Sequence, residues 1–250
     1  MFFLFLSIAL AADLDSAPSP ADLQAALTAA LALGHPVDVA LDAHDCERLA
    51  QGEVVKRLVG ADKAPRVTGA IWVKAPPEAL WIAVQDNAHR AVLPEGAVLT
   101  RLPGDSQKRR LNYNQMPLPW PMADRQWVSE VVPDAALYEA SGHRVWARTW
   151  DLLPPSLAPS PDPEAVWMEA NEGGWMFVEA DGGTLAVIDI RTDAGGALPA
   201  SLTTRWGLGT IEGSLHRLER HASTMAVHYD AAHERYLDPS GTVIDAIGRR

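Results

Sequence analysis

The chain has 250 residues, 48% of them hydrophobic and 21% charged, which is enough apolar sequence for a sizeable core and too much for a disordered chain. Its formal charge of −11 excludes the net basic surface with which nucleic-acid binders hold phosphate, so no nucleic-acid partner is expected. A single cysteine, Cys46, excludes an internal disulfide, a cysteine zinc site and an iron–sulfur cluster.

Residues 1–12 carry no charged side chain and are strongly apolar. They are too short to span a bilayer as a helix, which needs about 20 residues. They fit the apolar region of a secretory signal, with Ala9-Leu10-Ala11 as the cleavage site, although no Lys or Arg precedes them. The expectation is an exported protein, periplasmic or secreted, with residues 1–12 as signal peptide. Residues 13–44 read as a linker and an N-terminal helix, the helix over the Ala/Leu-rich stretch 21–33. A short second helix is expected over 42–50.

The texture then changes. Residues 52–59 and 66–74 read as strands, and Pro76-Pro77-Glu78 opens a helix to about Gln85. From Ala97 onward short strands follow one another, at about 97–103, 107–116, 125–132, 136–140, 143–151, 164–170, 174–180 and 184–192. Turn-forming residues separate them, among them Ser141-Gly142, Asn171-Glu172-Gly173-Gly174 and Asp181-Gly182-Gly183. Pro154–Pro163 is the long loop. After Gly195-Gly196 a long helix is expected, with Leu198, Leu202, Trp206, Ile211, Leu215 and Leu218 as its apolar stripe. A helical tail is expected over 223–250. Strands not separated by helices mean an α+β fold with an antiparallel sheet. A curved sheet covered by one long helix leaves a space suited to a ligand.

Three segments carry a resemblance. Pro117-Leu118-Pro119-Trp120-Pro121-Met122-Ala123-Asp124-Arg125-Gln126-Trp127-Val128 resembles the Pro-x-x-Asp-Arg-aromatic-Val strand entry of START lipid-transfer domains. Gly183-Thr184 with its strand, then Gly195-Gly196-Ala197-Leu198-Pro199, resembles the last strand and the start of the C-terminal helix in the same domains. Residues 67–81 resemble the strand-then-helix opening of the wider Bet v 1/START/polyketide-cyclase superfamily. The three lie in the right order over residues 45–222. The resemblance implies the helix-grip fold, a curved antiparallel sheet around a long C-terminal helix. It also implies a non-enzymatic binder of a lipid or other apolar molecule. START domains often hold a polar ligand head with a buried acidic and basic pair. Counted from Arg125, the equivalent places fall near Asn112 and Val131, neither of them charged, so the usual pair is expected to be absent.

Guided by that resemblance, the cavity wall is expected to carry Asn112, Asn114 and Met116 from one strand and Trp127, Ser129 and Val131 from the next. The opposite parity is the alternative. Leu202 and Trp206 are expected to face the cavity from the covering helix. Of the tryptophans, two or three are expected at a ligand and the rest in ordinary core. Asp124-Arg125 is read as structural. Arg101 with Lys108-Arg109-Arg110 is read as a solvated basic edge, with transient contact to a membrane surface as the functional alternative. His216/His221 and His228/His233 are five apart, off one helix face, so no metal site is expected. No phosphate-binding or dinucleotide-binding glycine motif is present, and no cofactor is expected.

Two other functions stay open at this stage. One is a cyclase or aromatase of polyketide type, with Asp189, Glu169 or Tyr113 as acid or base if they point inward. The other is a protein-interaction module using the helix at 21–33 and the tail at 223–250.

Overall fold

The computed structural model describes residues 17–34, 37, 39–60, 64–86, 95–196, 200–229 and 234–247. The expected signal segment, residues 1–12, lies outside the described residues. Among them nine strands form one sheet: β1 Val55–Val59, β2 Arg66–Val73, β3 Val98–Arg101, β4 Arg110–Met116, β5 Arg125–Pro133, β6 Val145–Leu153, β7 Val166–Trp167, β8 Ala170–Ala180 and β9 Gly183–Asp193. Their order is β1-β2-β9-β8-β6-β5-β4-β3, all antiparallel, while the short β7 pairs parallel with the start of β5. The last strand, β9, pairs with β2 near the beginning of the chain. That long-range pairing brings the two ends of the fold together. The helix α5, Ala200–His228, follows β9 and packs across β2, with the short helix α3, Pro77–Ala83, against it. This is the helix-grip arrangement.

Strand alternation assigns the two faces. On the face toward α5, Arg110 sits opposite Val131 and Val131 opposite Trp150, while Asn112 sits opposite Ser129. Trp175, Ile188 and Gly69 continue the same face across β8, β9 and β2. Trp81, Ile71, Phe177, Leu215 and Leu218 form the core between this face and the helices. The other face is covered by α1, Pro20–Leu31, and α2, Ala43–Ala50. Ser19 and Asp42 cap their N-termini. Leu23 and Leu27 of α1 and Leu49 of α2 are buried there with Val145, Ala147, Met176 and Val187. Each such buried leucine contributes about 1.5–3 kcal/mol. The apolar side of the helix considered for partner binding is thus covered by the protein's own sheet.

Three local expectations are corrected. Residues 136–140 form a helix, α4 Ala135–Ala140, not a strand, because Asp134 accepts from Leu137 N at 2.9 Å and caps a run of helix formers. Asn171–Gly174 is no turn but the interior of β8. Its glycines make room for neighbours: a Cβ on Gly173 would lie 2.8 Å from the Trp150 ring, and one on Gly174 3.0 Å from Arg148 O. The tail is not helical among the described residues beyond His228. Residues 234–247 instead return over α3, where Trp81 Nε1 donates to Leu237 O at 2.8 Å and Tyr229 OH donates to Ile244 O at 2.8 Å.

Asp124 and Arg125 fix the entry to β5. Asp124 accepts from Leu118 N at 3.2 Å. Arg125, buried, spreads its guanidinium over the carbonyls of Ala123, Ala194 and Gly195. One fork-shaped donor thus ties the start of β5 to the segment that leads into α5.

Candidate functional site

Between α5 and the facing sheet lies a cavity of about 230 Å³. β4 contributes Arg110, Asn112, Asn114 and Met116, and β5 contributes Trp127, Ser129 and Val131. Arg148 and Trp150 come from β6, Asn171 and Trp175 from β8, and Ile188 and Ile190 from β9. Thr210, Ile211 and Ser214 of α5 and Ala83–Asp86 after α3 complete the wall. A smaller, mostly apolar chamber of about 70 Å³ adjoins it and shares Met116, Trp127, Asn171, Ile190, Thr210 and Ile211.

The structure thus brings Asn112, Asn114, Met116, Trp127, Ser129 and Val131 to one cavity wall, in the parity that the resemblance favoured. Leu202 and Trp206 lie on α5, but their side chains fall outside the described residues. Asn114 Nδ2 donates to Ser129 Oγ at 3.0 Å and to Asn112 O at 3.3 Å, so this pair is largely satisfied within the wall. Asn112 Oδ1 is buried and has no hydrogen-bond partner among the described residues. Trp150 Nε1 donates to Asn171 Oδ1 at 3.1 Å, which holds the indole flat against the wall over Gly173.

The tryptophans divide as their strand parity dictates. Trp127, Trp150 and Trp175 line the cavity. Trp81 and Trp146 belong to the core beside Tyr138. Trp72 and Trp167 lie on the opposite face, where Trp167 meets Tyr113. Trp120 is 91% exposed in the β4–β5 loop.

Two arginines at the cavity were not among the expected site residues. Arg110 was read as part of an exposed basic edge, yet only 8% of its side-chain surface is accessible. Its neighbours in that cluster do face outward: Arg109 pairs with Glu130 and Arg101 with Glu234. The signal was available, because Arg110 shares its parity with Asn112, Asn114 and Met116. Arg148 likewise shares the parity of Trp146 and Trp150 on β6. Arg148 Nη2 donates to Val84 O at 3.1 Å, whereas its Nε is buried with no partner among the described residues. Burial, followed by the like charge of Arg110, lowers its pKa to about 9. It still carries its charge at neutral pH.

Asp189, Glu169 and Tyr113 do not line the cavity. Asp189 is buried on the opposite face with Arg66 and Thr68. Glu169 is exposed. Tyr113 OH donates to Gln126 Oε1 at 2.8 Å within a small cluster on the far face. Among the described residues, Asp86 is the carboxylate that reaches the cavity wall, and it meets His221 Nε2 at 3.1 Å. His221 of α5 is thereby tied to the segment that follows α3. Among the described residues no three His, Cys, Asp or Glu side chains group as metal ligands. Burial raises the pKa of Cys46, far from the cavity, which leaves it a poor nucleophile.

No protein-family model matches the chain, and no curated protein sequence matches it. Solved structures do. A STAR-related lipid transfer protein fragment from Xanthomonas axonopodis superposes with a TM-score of 0.56 at 21% identity, covering 68% of this chain and 92% of that one. Human StAR-related lipid transfer protein 5 gives a TM-score of 0.56 at 13% identity, covering 80% of this chain and 98% of that one. At such identities the likeness is one of architecture, and with it the chain is seen to have the START/Bet v 1-type helix-grip fold.

Proposed function

We propose that this protein binds a lipid or other apolar small molecule in the cavity between α5 and the sheet, and carries it. The observation that supports this reading is the wall itself. Trp127, Trp150, Trp175, Ile188 and Ile190 supply apolar surface, and a few polar groups are set among them. Every 100 Å² of apolar ligand surface buried there is worth about 2.5 kcal/mol. Solved structures of the same fold include proteins named for lipid transfer, which favours the same class of cargo here. The placement of Asp189, Glu169 and Tyr113 away from the cavity favours binding over acid–base turnover.

Carriage implies loading from a membrane surface. Trp120, exposed in the loop joining the cavity-lining ends of β4 and β5, suits transient contact with lipid headgroups. The apolar residues 1–12 suit export, which favours a carrier that works in the periplasm or outside the cell. N-terminal sequencing of protein recovered from the periplasm tests that placement: a mature chain starting just after residue 11 or 12 supports it, and recovery only from the cytoplasm contradicts it.

The binding reading is tested with the neutral fluorophore N-phenyl-1-naphthylamine. The expected result is saturable binding of one probe per chain, with quenching of the tryptophan emission. Binding by Trp127→Ala should weaken about 10-fold with the fold intact. Probe signal that rises linearly, or is unaffected by Trp127→Ala, overturns it.

A further inference from the structure

We infer that the cavity selects an anionic amphiphile, holding a carboxylate or phosphate oxyanion at Arg148 with Arg110 beside it. This rests on the cavity being a binding site for an apolar molecule and names the head group that such a molecule carries.

Arg148 is a half-buried cation on the cavity wall whose Nε is closed off from solvent. Among the described residues it forms no ion pair with a carboxylate, and the charge that acts on it is the like charge of Arg110. Among the described residues its side chain donates to the Val84 carbonyl, and its Nε has no partner there. A desolvated guanidinium without a counter-charge is among the costliest groups a fold can hold. A methionine or leucine would fill the same place at lower cost, so an oxyanion partner accounts for the arginine where packing does not. Arg110 is already matched in part. Its Nη1 bonds Asp105 Oδ2 at 2.9 Å, while Nη2 has no hydrogen bond and lies 3.7 Å from Glu234 Oε1. Asp86 is engaged by His221. Arg148 is thus the cation at this end of the cavity that lacks a carboxylate partner among the described residues.

The planar fork of a guanidinium matches two oxygens of a carboxylate or phosphate. Asn112 Oδ1, buried without a partner on the same wall, accepts a hydroxyl adjoining the anion. The volume sets the tail. About 230 Å³ is below the ~300–1,000 Å³ of drug-sized pockets, which suits a single chain or small ring rather than a two-chain lipid.

The test is displacement of N-phenyl-1-naphthylamine from the full chain by decanoate, decyl phosphate and decanol. At least one anion should bind about 10- to 100-fold tighter than decanol, the range of charge-assisted hydrogen bonds. Comparing decanoate with decyl phosphate says which oxyanion is preferred. In Arg148→Met the preference for the anion over decanol should fall below about 3-fold, and in Arg109→Gln, which removes an exposed charge, it should persist. Equal affinities for the three in the unaltered protein, or a preference retained in Arg148→Met, overturns the anion site and leaves apolar binding standing. Failure of all three to displace the probe overturns both, and the comparison within the unaltered protein decides the matter even if Arg148→Met does not fold.

Discussion

Gly69 of β2 lies directly beneath Ile211 of α5: a Cβ at position 69 would overlap the Ile211 side chain and come within 2.9 Å of Leu215 Cδ1. The helix therefore rests on the sheet through a gap in the side-chain layer. The cavity opens beside that contact, where Ile211 also forms part of the wall.

Gly69→Ala should consequently lower stability by about 1–3 kcal/mol, the usual cost of overpacking a close-packed contact. Denaturant unfolding checks this. The same change should alter probe affinity, since α5 must shift. Gly34→Ala alters backbone conformation but meets no neighbour within 4 Å, so a loss of stability there should leave probe affinity unchanged.

Arg125 bonds four carbonyls, those of Ala123, Asp124, Ala194 and Gly195. Arg125→Lys keeps the charge but cannot span Ala123, Ala194 and Gly195 together. The expected loss is about 2–4 kcal/mol, because buried carbonyls are left without donors. Hydrogen exchange should show the deficit first at the β9–α5 connection and the start of β5. Uniform exchange across the sheet would contradict the clamp.

Arg148 makes a prediction about stability that runs opposite to its role in binding. Burial lowers its pKa in the folded protein from the ordinary arginine value to about 9. Above pH 9, up to the ordinary arginine value, the unfolded chain binds the extra proton, so stability contributed by this group rises with pH across that range. Below pH 9 the full cost of the buried charge is present. Arg148→Met should then be more stable than the unaltered protein at neutral pH, by about 1–3 kcal/mol. A thermal melt that falls on substitution would contradict the buried-charge account.

Asp189 is paired with Arg66 and Thr68 on the face away from the cavity. Asp189→Asn should cost about 1–3 kcal/mol of stability and leave probe affinity unchanged. A change in ligand affinity without a change in stability would place it functionally at the cavity instead.

The sequence made the architecture legible because alternation and turn residues mark antiparallel strands directly. Asn112, Asn114 and Met116 and their neighbours on β5 could be placed together once the strand entry at Arg125 fixed the parity. Arg110 and Arg148 obey the same parity, yet charged residues read as surface by default, and burial of a charge is a property of the assembled sheet. Gly173 and Gly174 read as a turn because glycine marks turns more often than close approaches. Only the crossing of Trp150 and the Arg148 carbonyl reveals the second role. Residues 135–140 are helical through one cap, Asp134, in a stretch short enough for either assignment. The return of the tail over Trp81 depends on contacts about 150 residues apart in the chain, which no local pattern encodes.

The central claim is that the cavity holds an apolar molecule. Native mass spectrometry of the protein purified from its own cells, with organic extraction of any adduct, tests it most directly when paired with Ser129→Phe, which fills the wall between Asn112 and Asn114. The account predicts one small amphiphile per chain, absent from Ser129→Phe although that variant stays folded. An adduct retained at full occupancy in the filled variant, or no adduct and no uptake from a lipid extract by the unaltered protein, would contradict it.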